Sequence, residues 1–370
     1  MKKLNKILAF ALTLALCINL CVPAFAAADD SVPEEHIKAI ENALLGISPE
    51  KEVYGLGDVD FSNLWIGNEI PKYEFTNNGL CKIEEFLTYP ILDENEKIVA
   101  LANISRDNVE TSASVSCELA EDLNTYSNRD NTEICLVYDN TAVYCWDRET
   151  HTKLSEYYIR IDNRDSASWD KLKQYDISTC KVEKKEFISI SERINPIGYD
   201  DESIYLTVDK ILQPYGSAWC WAACIACVVN YIRGTDYRCR DIAKMYTENF
   251  NAGIYPEDFI KFLDRDFHIL YSLIDGSYGK VRTIPVFKSL QMGYPVIGFF
   301  NANDRNHAVI IRGVDFQSAT FSLMNPITGD YEVGSMTPVS SGNANFNFAS
   351  TVAGVRWTMY NAAVDVLSAR

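Results

Sequence analysis

A cysteine stands at the point where an irregular polar loop gives way to an apolar helix, in the segment Gln213-Pro-Tyr-Gly-Ser-Ala-Trp-Cys220-Trp-Ala-Ala-Cys224. The apolar run continues to Ile232 and is closed by Arg233-Gly234, a cation in the last turn followed by a glycine stop. The first N–H groups of a helix lack intrahelical partners, and the aligned peptide dipoles favour negative charge there. A thiolate at such a position is stabilised relative to the thiol, which makes Cys220 a candidate nucleophile.

The elements that follow define the class of fold. Tyr237–Thr247 and Pro256–Leu263 read as helices, the second with proline at its first position and Glu257-Asp258 in its first turn. Thereafter Ile269–Ile274, Pro295–Phe300, His307–Asp315, Thr320–Met324, Tyr331–Val333 and Val355–Tyr360 read as strands, with a short helix at Val286–Met292. Helices first and a mostly antiparallel sheet afterwards describe an α+β domain over 196–370.

The preceding part has a different character. Residues 27–195 carry 34 acidic against 17 basic side chains, whereas 196–370 carry 17 against 14. This imbalance excludes nucleic acid as the expected partner and gives the halves different jobs. Pro33–Ile47 reads as an amphipathic helix, Leu119–Tyr126 as a second, and Trp169–Tyr175 as a third. Strands are expected at Glu85–Leu92, Lys97–Ile104, Ile134–Tyr138, Ala142–Trp146, Leu154–Ile161 and Val182–Ile190. The expectation is a separate acidic α+β domain over 27–195, with the boundary near Glu192–Glu202 where Pro196 and Gly198 interrupt the strand pattern.

At the start, Lys2, Lys3 and Lys6 precede the apolar run Ile7–Leu20 and the small-residue site Ala24-Phe25-Ala26. This is the pattern of a secretory signal over 1–26, and it implies a secreted, extracellular protein with no stable membrane insertion after signal removal. Of eleven cysteines, nine lie beyond the signal, an odd number that leaves at least one thiol free. Most are expected to be buried thiols rather than disulfide partners.

A thiolate needs a base, and the chain has four histidines. His36 and His151 lie in the acidic half, and His268 directly follows a helix. His307 begins the apolar run Ala308–Ile311 after a polar loop, at the rim of a sheet. Asp315 cannot orient it, because eight residues of strand separate them by about 26 Å. If the chain turns through Gly313–Ser318 and returns along Thr320–Asn325, the hairpin centre lies near 316 and position 307 faces Asn325. Asn325 would then accept from one ring nitrogen and fix the tautomer while the other faces Cys220.

Through Gln213, Cys220-Trp-Ala-Ala, Asn306-His307-Ala-Val and Asn325, in that order, the chain resembles the papain-like cysteine peptidases, most of all bacterial secreted or effector branches. The resemblance covers about Asp209–Arg370. It implies a papain-like fold with Cys220 as nucleophile, His307 as general base and acid, and Asn325 as orienter of the imidazole. Gln213 and the Cys220 backbone N–H would form the oxyanion hole. Gln213 precedes Cys220 by seven positions where the usual spacing is six, so the loop must absorb one residue, at Gly216.

The implied reaction is hydrolysis of a peptide or protein substrate through a thioester, with no metal or other cofactor. Cys220, Cys224 and Cys227 share a helical face, but no second cluster with zinc spacing accompanies them. An acidic segment between signal and catalytic unit is placed to be a precursor segment that inhibits the enzyme intramolecularly; a permanent accessory domain is the rival. Transglutaminase-like or cell-wall amidase-like thiol enzymes also use cysteine before histidine, and a catalytically inactive adhesin or toxin module is the non-enzymatic alternative. Gln213 and an asparagine at 325 favour the peptidase.

Overall fold

The strands of the second half close on themselves. In the computed structural model, which describes residues 31–106, 111–127, 132–156, 168–190, 203–274, 279–302, 305–340 and 342–369, six antiparallel strands form a ring. They run Asp330–Ser340, Thr320–Asn325, Arg305–Asp315, Val296–Ala302, Val355–Asp365 and Asn343–Ser350, and the last pairs back onto the first. Period-2 alternation fills this barrel with Phe300, Phe321, Phe346, Phe348 and Met359, all buried. Phe300 stacks on Phe321 at 6.1 Å between ring centres and meets Phe348 edge-on at 5.1 Å.

So many rings leave no room on the facing backbone. A Cβ on Gly334 would lie 2.5 Å from the Phe321 ring and 2.7 Å from the Asn347 carbonyl oxygen, which is backbone and cannot step aside. Gly334→Ala is therefore expected to cost about 1–3 kcal/mol by overpacking. A urea midpoint equal to that of the unaltered protein would refute this reading of the barrel interior.

The helices lie as the periodicity indicates. Cys220–Arg233 ends at Gly234, left-handed at φ 64°, whose N–H bonds the Asn230 carbonyl at 2.7 Å. Cys239–Tyr246, Pro256–Phe267 and Thr283–Gln291 complete this half. The strand Asn343–Ser350 was not expected, because alternate asparagines mask it; its inward residues Ala344, Phe346 and Phe348 nevertheless keep strict alternation. Leu64–Gly67, Lys72–Thr76, Gly79–Lys82, Thr111–Ser116 and Ser203–Tyr205 are likewise strands that local sequence does not announce.

The acidic half contributes a six-stranded sheet around Tyr73, Phe75, Cys135, Val137, Trp146, Leu172 and Ile177. Its other strands, however, extend the barrel sheet in the order Lys184–Ile188, Leu64–Gly67, Leu87–Leu92, Ile98–Arg106 and Thr111–Ser116, joined to Asp330–Ser340 through the pair Val115–Val333. Two fully separate domains are thus not what forms: Pro33–Arg370 is one compact unit. The physical reason lies at the junction. Small side chains along Thr111–Ser116 let it approach the barrel, and Ser114 and Asn103 bond the Ala349 carbonyl at 3.1 and 2.9 Å. The helix Glu34–Ile47 packs on Thr111–Ser116 and also on Thr320–Asn325 and Asp330–Ser340 of the second half. The expected boundary at 192–202 and the signal at 1–26 lie outside the described residues.

One contact between the halves involves charge. Arg312 is fully buried in its strand and bonds Glu50 Oε2 at 2.8 Å, Ser322 Oγ at 2.7 Å and the Leu206 carbonyl at 2.6 Å. Tyr331 covers its guanidinium, with 4.3 Å from Cζ to the ring centre.

Candidate active site

The cysteine reaches its place because the loop before it is folded tightly. Ser217 N–H donates to the Pro214 carbonyl at 3.1 Å, and Gly216, at φ 76°, occupies the third position of this turn. A left-handed third residue favours glycine, so the extra residue between Gln213 and Cys220 is taken up at Gly216. Gln213 N–H donates to the Pro326 carbonyl at 2.8 Å, tying the loop to the hairpin end that carries Asn325.

Gln213, Cys220 and His307 line one cleft of about 640 Å³, together with Trp221, Tyr255 and Trp357 among others. Cys220 is the first residue of its helix and keeps partial exposure to the cleft. Burial is the largest influence on its thiol and pushes the pKa up; the backbone N–H groups of Ala308, Trp221 and Cys220 pull it back down. The helix start thus acts in the expected direction but is outweighed by desolvation. The Ala308 contact also places the sulfur against the strand position next to His307.

His307 is buried, and its Nε2 lies 2.8 Å from Asn325 Oδ1. An amide oxygen only accepts, so Nε2 carries the hydrogen and Nδ1 is left as the basic nitrogen. Burial lowers the imidazole pKa to about 4, with the Asn325 hydrogen bond opposing that shift. Burial thus pushes both groups toward their neutral forms, thiol and imidazole.

The register that brings these residues together differs from the expected one. The observed pairs are Asp315–Thr320, Val314–Phe321 and Gly313–Ser322, then, past a bulge at Arg312, Ile311–Leu323 and Ile310–Met324. Continued, that register sets Asn325 opposite Val309 rather than His307. The turn lies at 316–319, with Ala319 at φ 53°, one to two residues later than expected. The slip is two residues, so Asn325 stays on the same face and reaches His307 diagonally.

Gln213 Nε2 donates to the Ser217 carbonyl at 2.9 Å, which fixes the amide orientation and leaves its second hydrogen uncommitted by that bond. Its Oε1 is buried without a hydrogen-bond partner. Both tryptophans beside Cys220 are buried, and each pins the loop that walls the cleft: Trp219 Nε1 donates to the Asn249 carbonyl at 3.0 Å and Trp221 Nε1 to the Ala252 carbonyl at 2.9 Å. Trp221 is the one that lines the cleft.

Two residues escaped the sequence reading. Trp357 packs over His307 at 5.1 Å between ring centres, and Glu332 Oε1 accepts from Asn325 Nδ2 at 2.8 Å. Neither has a local signal, since strand pairing alone delivers them. The remaining histidines sit elsewhere: His36 bonds the Tyr89 hydroxyl at 3.0 Å, His151 stacks on Trp169, and His268 ends a helix. All nine described cysteines are free thiols, and Cys224 and Cys227 are core residues.

Residues 203–341 match the family model described as papain-like cysteine protease AvrRpt2, and the match contains Gln213, Cys220, His307 and Asn325. The match supports a papain-like bacterial cysteine peptidase, a hydrolase, over this part of the chain. A search of curated proteins gives no match.

Proposed function

We propose that this papain-like peptidase is a secreted enzyme that cleaves peptide bonds through a Cys220–His307–Asn325 site and a thioester intermediate. The observation carrying the reading is the 2.8 Å contact between His307 Nε2 and Asn325 Oδ1 in a cleft that also holds Cys220. That contact directs the basic Nδ1 away from Asn325, where it can serve the thiol.

The thiol proton passes to Nδ1 as sulfur bonds the substrate carbonyl carbon. The carbonyl oxygen becomes an oxyanion that accepts from the Cys220 N–H and the second hydrogen of Gln213 Nε2. The intermediate collapses with breakage of the C–N bond, and the imidazolium gives its proton to the departing amine. Water then attacks the thioester, losing its proton to Nδ1, and the sulfur leaves to regain it.

Treatment with a thiol-directed epoxide, followed by mass spectrometry, tests the nucleophile: the adduct is expected on Cys220, and an adduct on another cysteine instead would sink the assignment. Gln213→Ala is expected to lower kcat about 100-fold or more with labelling retained, as loss of an oxyanion donor does.

The leader pattern at 1–26 supports export, and a secreted form starting beyond Ala26 on N-terminal sequencing is its test. Production as a precursor rests on the acidic segment's position ahead of the matched region. Inhibition by occupation of the cleft finds no support among the described residues, since those lining it all lie at 213 or beyond. Cleavage near 192–202 is expected to yield fragments that elute together under native conditions, because strands of both parts share a sheet.

A further inference from the structure

Asn325 carries an amide whose two ends are nearly equal in shape and opposite in hydrogen bonding, so something must choose which end meets His307. Were the amide reversed, Nδ2 would face His307 Nε2, and the imidazole would have to carry its hydrogen on Nδ1. That is the tautomer that cannot take a proton from the thiol. Asn325 is completely buried, and water cannot make the choice.

Glu332 can. Its side chain is 2% exposed, and Oε1 accepts from Asn325 Nδ2 at 2.8 Å and from Thr328 Oγ1 at 3.0 Å. A carboxylate attracts the Nδ2 end of the amide and repels Oδ1, so it stabilises the observed orientation and destabilises the reversed one. The Ile327 N–H, 3.1 Å from Asn325 Oδ1, favours the same orientation from the other side.

The surroundings of Glu332 are acidic. Asp330 lies on its own strand, Thr328 on the turn, and Glu118 of the acidic half contributes a carboxyl whose Oε2 is buried without a hydrogen-bond partner. Cys117 lies nearby, and Lys210 is the cation of this group, paired with Asp330 at 2.5 Å. Burial raises the Glu332 pKa to about 7, while the bonds from Asn325 and Thr328 favour the ionised form. Glu118 is held higher still, to about 9, first by burial and then by the charges of Glu332 and Asp330. Glu332 therefore ionises at lower pH than Glu118, and its Oε1 accepts from Asn325 whether or not Oε2 carries a proton.

We propose that Glu332 is a positioning residue, holding the Asn325 amide, and through it the His307 imidazole, in the orientation that leaves Nδ1 basic. This rests on the thiol-peptidase reading of the cleft. It makes the strand Asp330–Ser340, at the junction of the two halves, part of the support of the site.

The test combines kinetics with the tautomer of His307, read by long-range proton–nitrogen correlation on histidine-labelled full-length protein and assigned with His307→Gln. In the unaltered protein the hydrogen is expected on Nε2. Glu332→Gln keeps the shape but has an amide that can itself reverse and donate to Asn325 Oδ1, so it should admit both tautomers. Glu332→Leu, and Glu332→Asp, which draws the carboxylate back by one methylene, should give a mixed tautomer and lower kcat about 10- to 100-fold with KM held within about twofold. Should Glu332→Leu fail to fold, Glu332→Asp carries the test. Wild-type tautomer in a folded Glu332→Leu or Glu332→Asp overturns the proposal, whether or not activity falls, and so does a mixed tautomer with wild-type kcat. If Cys220 proves not to be the nucleophile, the labelling experiment fails while the tautomer result still reports whether Glu332 holds His307.

Discussion

His307→Ala is expected to lower kcat/KM for peptide substrates by about 10⁴-fold or more, with the chain still folded and Cys220 still present. The loss is that of the imidazole lining the cleft beside the thiol, whose pKa burial pushes up, so that it needs a base to act. The pH dependence follows from the same burial. A neutral imidazole is required, and its pKa is about 4, so the acid limb of kcat/KM should lie near that value instead of near the ordinary 6.5. Stability carries the matching sign. Between those two values the unfolded chain takes up a proton that the folded chain refuses, so the contribution of neutral His307 is present above 6.5 and is lost as pH falls toward 4. Urea midpoints over this range should fall less steeply in His307→Gln. An acid limb near 6.5, with equal slopes in the two proteins, would show that the imidazole is not desolvated as described.

Glu50→Ala is expected to destabilise the protein by about 3 kcal/mol, at the lower end of the range for breaking a buried pair. The Arg312 guanidinium is fully buried, and the substitution removes its counter-charge while its bonds to Ser322 and Leu206 remain. The Glu50 side chain is 21% exposed, which lets some water reach the gap and moderates the cost. Replacing both residues together with methionine should recover much of the loss, because an apolar pair leaves no stranded charge. Thermal or urea unfolding of the two variants checks this. A double variant no better than Glu50→Ala would mean that packing of the two side chains, and not their charge, is what matters.

How far the sequence could be read depended on how local each signal was. Cys220, its helix and the glycine stop are adjacent in the chain, and their chemistry follows from position alone. Asn325 was reachable because hairpin arithmetic tolerates an error of two residues without changing faces, although the bulge at Arg312 and the later turn were invisible. Glu332 and Trp357 became neighbours of the site only through barrel closure, which no short window contains. The union of the two halves was hidden for a related reason. Thr111–Ser116 is composed of small and hydroxylated residues that look like a loop, yet small side chains suit a strand that is paired on both sides and must lie close against Asn343–Ser350.

The closed barrel also bears on when the enzyme can first act. Its strand Val355–Asp365 lies between Val296–Ala302 and Asn343–Ser350, so the ring stays open until that strand has been made. Trp357, which covers His307, arrives on that same strand. At the other end, the helix Glu34–Ile47 packs on strands nearly three hundred positions later. A chain joined at such long sequence separations folds slowly and late. Synthesis from the N-terminus therefore yields a complete thiol site only after Val355–Asp365 is available, and a product truncated before that strand would carry Cys220 and His307 without the enclosure that sets their chemistry.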